Sequence, residues 1–90
     1  MSVTVTIPWT MLHITDNRKK IEVEESTIGA CFEEVIRRHP RLKKELYTES
    51  GVLRPEILIY VNDTAVHANP LSRAVGAGDI IHITTLVVGG

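Results

Sequence analysis

Apolar and polar positions alternate strictly from Val3 to Ile7, with Val3, Val5 and Ile7 on one side and Thr4 and Thr6 on the other. A period of two carried by β-branched residues predicts a half-buried strand. Pro8 ends it, because proline has no N–H to donate to a ladder. Trp9 to Thr15 has no clear period and reads as a connection, closed by the turn chemistry of Asp16-Asn17. Lys20-Ile21-Glu22-Val23-Glu24 alternates again with Ile21 and Val23 inward, which predicts a hairpin with the first strand.

From Ile28 the period changes. Ile28, Cys31, Phe32, Val35 and Ile36 share one helical face, while Glu33, Glu34, Arg37 and Arg38 occupy the other. Ser26-Thr27 supplies hydroxyls able to cap the start. Arg37-Arg38 suits the negative end of the helix dipole. His39-Pro40 marks the stop, since a residue before proline is pushed out of the helical region. Arg41 to Tyr47 reads as a short second helix holding Leu42 and Leu46 against the first, and Thr48 to Pro55 as a loop. Ile57 to Val61 is a continuous apolar run, consistent with a strand buried on both faces. Asn62-Asp63 turns the chain, Ala65-Val66-His67 returns as a short strand, and Leu71 to Val75 makes one helical turn. Gly76-Ala77-Gly78-Asp79 is a tight turn into a last strand, Ile80 to Thr84, with Ile81 and Ile83 alternating against His82.

Two strands at each end of one helix in a 90-residue chain predict an α+β fold, a mixed sheet of four to five strands around one main helix. Fully burying each of Ile28, Phe32 and Val35 contributes about 1.5–3 kcal/mol. The right-handed crossover rule places the last strand beside the first, in parallel, at the centre of the sheet.

Beyond that strand the chain reads Thr85-Leu86-Val87-Val88-Gly89-Gly90. Leu86, Val87 and Val88 are too apolar for an idle solvent tail, so they either prolong the strand or insert into a partner's groove, and insertion is the expectation here. Gly89 and Gly90 have no Cβ and form the thinnest segment a polypeptide can thread through a channel. From Leu86 to Gly90 the chain extends roughly 16 Å, using about 3.3 Å per residue. The α-carboxylate of Gly90 is therefore the candidate reactive group. The plain alternative is a frayed terminus that happens to end in two glycines.

Composition narrows the classes. The net charge of −1 argues against general nucleic-acid affinity, which needs clustered positive charge. The single cysteine, Cys31, cannot form an internal disulfide and fits a reducing, cytoplasmic setting. No apolar run approaches membrane-spanning length, and Met1-Ser2-Val3-Thr4-Val5 carries no signal-peptide pattern, so no membrane partner is expected. Cys31 lies on the inward helix face and reads as a small core residue. His13, His39, His67 and His82 lack metal-ligand spacing, so no metal site is expected. Arg37, Arg38, Arg41, Lys43 and Lys44 interleave with Glu33, Glu34 and Glu45, as on a solvated face. Gly76-Ala77-Gly78 precedes a strand, the wrong context for phosphate, and no triad or carboxylate pair is present. Nothing here is catalytic machinery.

Val3-Thr4-Val5-Thr6-Ile7-Pro8, Thr27-Ile28-Gly29-Ala30, Ile59-Tyr60-Val61-Asn62-Asp63 and Gly78-Asp79-Ile80-Ile81-His82-Ile83, followed by Gly89-Gly90, together resemble the ubiquitin-like β-grasp sulfur carriers of the ThiS/MoaD family, most of all its CysO-like branch. The resemblance spans nearly the whole chain. Many members place proline within the segment Thr84-Thr85-Leu86, where this chain has none. It implies a β-grasp domain over residues 1–84 and a flexible tail over 85–90. It also implies a carrier and not an enzyme: an E1-like adenylyltransferase uses ATP and Mg²⁺ to adenylate Gly90, and a persulfide or other sulfur donor converts the adenylate to a thiocarboxylate. No cofactor is expected on the chain itself. The implied acceptor is a PLP-dependent sulfhydrylase making cysteine or a related sulfur amino acid. The alternatives are the small subunit of molybdopterin synthase, entering its large subunit, a ubiquitin-like protein modifier, and a β-grasp binding module with an incidental Gly-Gly.

Overall fold

The computed structural model describes residues 2–86. Its strands are β1 (Val3–Thr6), β2 (Lys20–Val23), β3 (Ile57–Val61), β4 (Thr64–Ala65) and β5 (Ile80–Thr85), and its helices are α1 (Ile28–Arg38) and α2 (Lys43–Leu46). Short 3-10 turns cover Trp9–Met11, Pro40–Leu42 and Pro70–Ser72. The strands form one mixed sheet in the order β2-β1-β5-β3-β4. β1 pairs antiparallel with β2 and parallel with β5, and β5 pairs antiparallel with β3. The crossover rule thus holds, and the last strand lies at the centre.

One core lies between sheet and helix. Ile28, Cys31, Phe32 and Val35 on α1 are fully buried against Val3, Val5, Ile21, Val23, Ile59, Ile81 and Ile83 from the strands. Leu42 and Leu46 close it from beyond the end of α1. Thr27 caps α1 by accepting a hydrogen bond from the Ala30 N–H at 3.2 Å, an interaction of about 1 kcal/mol. Glu34 sits past the first turn of α1 and binds Arg37 and Arg38 at the other end of the helix.

Several expectations need correction. The helical turn expected over Leu71 to Val75 is a 3-10 turn at Pro70–Ser72. β3 is not buried on both faces: Ile57, Ile59 and Val61 face the core, but Leu58 is 40% exposed and Tyr60 half-buried. The helices cover one side of the sheet only, so the continuous apolar run hides a one-sided strand. The returning strand β4 is Thr64–Ala65, one residue earlier and shorter than Ala65 to His67. The Val66 N–H still donates to the Ile59 carbonyl at 2.9 Å.

Asn62 and Asp79 lock the far end of the sheet. Asn62 adopts a φ of 55°, which asparagine tolerates better than most residues. Its Oδ1 accepts from the Ile80 N–H at 3.0 Å, and its Nδ2 donates to Asp79 Oδ1 at 3.2 Å. The other Asp79 oxygen accepts from the Gly76 N–H at 2.9 Å, and these bonds hold the Asp79 carboxyl below its ordinary range.

Gly29 tests the packing of α1. A Cβ there would lie 2.9 Å from the Leu71 carbonyl oxygen and 3.3 Å from Leu71 Cβ. Gly29→Ala gains about 1 kcal/mol of helix propensity but incurs an overpacking cost of about 1–3 kcal/mol. The expected outcome is a lower thermal midpoint by calorimetry. A raised midpoint contradicts the close approach of Leu71.

Candidate functional site at the end of the central strand

The pairing of β5 decides where the chain leaves the domain. On one side Thr4, Val5 and Thr6 lie opposite Ile80, Ile81 and His82, and on the other Ile57 lies opposite Thr85. Thr6 Oγ1 and His82 Nδ1 are 3.0 Å apart across the central pair. Thr84 adds a side-chain bond, its Oγ1 donating to the Leu58 carbonyl at 3.1 Å. The strand runs through Thr85, one residue past the expected end at Thr84. Leu86 continues the ladder, its N–H donating to the Glu56 carbonyl at 2.8 Å. A proline at Leu86 would lack that donor.

Of the predicted tail residues only Leu86 is described. Its backbone is held by the sheet while its side chain is 55% exposed. Val87, Val88, Gly89 and Gly90 lie outside the described residues. The domain therefore holds the chain at least to Leu86, whose backbone is fixed by the residue preceding β3.

The remaining chemistry-bearing side chains do not converge on that point. Cys31 is fully buried in the core, and burial, helped by the nearby Glu25 charge, pushes its thiol up to about 11. Glu34 accepts from Arg37 at 2.6 Å and from Arg38 at 2.8 Å, and those bonds lower its carboxyl to about 2. Both arginines are largely solvated, so the network marks a helix surface and not a buried site. Among the described residues no group of His, Cys, Asp and Glu side chains could hold a metal ion. None of the helices described is long and apolar enough to cross a membrane.

The thiol's burial has a direct consequence. Iodoacetamide at neutral pH is expected to label Cys31 no faster than the core opens, and rapidly once the chain is unfolded in denaturant. Equal labelling rates in the two conditions contradict the core placement.

The model of the ThiS family matches residues 5–90. No curated protein sequence matches the chain at significance. Among solved structures, a chain of the Amycolatopsis orientalis BexX/CysO complex is 34% identical, with a TM-score of 0.86 covering 98% of this chain and 99% of that one. CysO of Mycobacterium tuberculosis is 30% identical, with a TM-score of 0.84 covering 94% and 99%. SAMP1 of Haloferax volcanii, at 21% identity, shares the fold with a TM-score of 0.84 and full coverage of both chains.

Proposed function

The chain belongs to the ThiS family of ubiquitin-like sulfur carriers, and from that premise we propose that its Gly90 carboxylate is adenylated and then converted to a thiocarboxylate that donates sulfur in biosynthesis. The observation that carries the reading is the extent of the family match, which runs through Gly89 and Gly90. The fold supports it from the other side, since β5 delivers the chain from the sheet centre with its backbone fixed as far as Leu86.

The chemistry needs little from the domain itself. A carboxylate is a poor electrophile at neutral pH. Attack of its oxygen on the α-phosphorus of ATP, with loss of pyrophosphate, turns it into a mixed anhydride, and a sulfur nucleophile then expels AMP. ATP and Mg²⁺ belong to an E1-like partner, and the sulfur to a persulfide or comparable donor. The thioacid so formed is ionised and nucleophilic at pH 7, and it remains tethered to a protein handle. Docking of the whole domain then supplies specificity, and Leu86, Val87 and Val88 supply apolar contacts along the channel that Gly89 and Gly90 thread. Small ThiS and CysO-like carriers are generally not enzymes, and this chain is read in the same way.

For the acceptor, the 34% and 30% identity to CysO-containing structures favours a PLP-dependent enzyme making cysteine or a related sulfur amino acid. Capture of a molybdopterin-synthase large subunit, or isopeptide conjugates on lysines, would redirect the proposal to the corresponding alternative.

The test is pyrophosphate exchange with ATP, Mg²⁺ and the E1-like enzyme from the same cells. The intact chain is expected to support exchange, and deletion of Gly90 or Gly89→Val to abolish it. Both variants are expected to keep stability within about 0.5 kcal/mol, as for changes outside a packed core. Exchange that survives loss of Gly90 contradicts the assignment of the reactive group, and a large stability loss contradicts a tail free of the core.

A further inference from the structure

We propose that the end of the sheet from which the tail departs is a docking surface, with Trp9 as its apolar anchor and a fringe of cations around it. It fits a protein partner whose tail-binding recess offers an apolar pocket rimmed by carboxylates. This rests on the preceding reading only in taking the activating enzyme as that partner.

Register brings the parts together. Thr6 lies opposite His82 in parallel pairing, so β1 and β5 run toward the same end, where Pro8 and Trp9 follow β1. Thr6 also pairs with Lys20, and the Ile7 N–H donates to the Lys19 carbonyl at 2.8 Å, which sets Arg18-Lys19-Lys20 at the same end. Across β5, the Ile57 N–H donates to the Arg54 carbonyl at 3.0 Å, and Ile57 pairs with Thr85. The last turn of α1 reaches there too: Arg38 donates to the Glu22 carbonyl at 3.0 Å, and Arg18, Lys20, Arg38 and His39 line one groove with Glu22.

Trp9 is 79% exposed, the most exposed of the large apolar side chains among the described residues. The loop that carries it is not loose. Met11 and Ile14 are buried beneath it, and the fully buried Thr15 donates to the Arg18 carbonyl at 3.0 Å. A rigidly mounted, solvent-facing indole is the side chain that most often anchors an interface.

A group of cations accompanies it. Arg18, Lys19 and Lys20 lie at the end of the sheet where β5 finishes, Arg54 precedes β3 there, and Arg38 shares a groove with Arg18 and Lys20. Glu25, Asp63 and Asp79 lie at or near the opposite end, beside the β3–β4 turn and the Asn62–Asp79 lock. Asp16, Glu22 and Glu56 interrupt the cationic fringe, but the ion pairs among the described residues are those of Arg37 and Arg38 with Glu34. Arg18, Lys19 and Lys20 thus have no carboxylate partner among the described residues. Such an arrangement orients an acidic partner toward the tail and raises the encounter rate, more than it adds affinity.

The test labels the single tryptophan with 5-fluorotryptophan and follows its ¹⁹F resonance and the binding of the intact chain to the E1-like enzyme. The resonance is expected to shift on binding. Trp9→Ala is expected to weaken binding by about tenfold or more. Arg18→Glu with Lys20→Glu is expected to slow association about tenfold at low salt, an effect that salt removes, while Glu25→Lys with Asp63→Lys leaves the rate unchanged. An unshifted resonance together with wild-type binding by Trp9→Ala overturns the proposal. Should the chain not be adenylated at all, the sulfur-carrier reading fails separately, and titration with a hexaglutamate peptide decides the surface. Amide shifts confined to Trp9, Arg18–Lys20 and Arg54 uphold it, and shifts spread over both ends of the sheet overturn it.

Discussion

Three residue pairs, Thr4 with Ile80, Val5 with Ile81 and Thr6 with His82, hold the first strand parallel to the last, and the rest of the molecule depends on that contact. Parallel neighbours cannot be joined by a tight turn, so the intervening chain must cross over a face of the sheet. The crossover is where α1 sits, and burial of Ile28, Phe32 and Val35 against Val5, Ile81 and Ile83 holds it there. β5 is bound on both edges from Ile80 to His82, by β1 and β3, and by β3 alone from Ile83 to Thr85. Its exit is therefore held through β3 and the Glu56 carbonyl, which binds the Leu86 N–H.

That arrangement separates structure from chemistry. The Asn62–Asp79 lock and the Gly76–Asp79 turn secure the entry of β5, while the Glu56 carbonyl fixes its exit at Leu86. The far end of the sheet carries bonds that register the strands, and the near end carries Leu86, the exposed Trp9 and the run Arg18-Lys19-Lys20. Core groups take no part in the proposed reaction. The Cys31 thiol is raised by burial and packed in the core, so it offers no accessible sulfur nucleophile in the folded domain.

Much of the fold was legible in the sequence because its periods are clean. Val3–Ile7 and Ile21–Val23 alternate, Ile28–Val35 repeats at helical spacing, and Thr27 caps the helix as its position suggests. Ile57 to Val61 misled because apolar side chains at Leu58 and Tyr60 look the same whether a second layer covers them or not. The extension of β5 was missed because Thr85 and Leu86 fit a strand and a tail equally, and only the Glu56 carbonyl distinguishes them. For the site, the Gly-Gly signal singled out Gly89 and Gly90, which lie with Val87 and Val88 outside the described residues, and only Leu86 can be placed. Trp9 was placed only in an aperiodic connection, and such a stretch does not tell whether its indole is buried or exposed. The clustering of Arg18-Lys19-Lys20 with Arg54 depends on strand register, which no local pattern encodes.

In the proposed function, a central strand presents a main-chain acid for conversion to a thioacid. Intact mass spectrometry of the chain isolated from its native cells tests this most directly. The expected result is a fraction heavier by the exchange of one oxygen for sulfur, localised to Gly90 by fragmentation. A native chain with an unaltered Gly90 carboxylate under conditions of active sulfur assimilation, or one found to continue past Gly90 without processing, would contradict it.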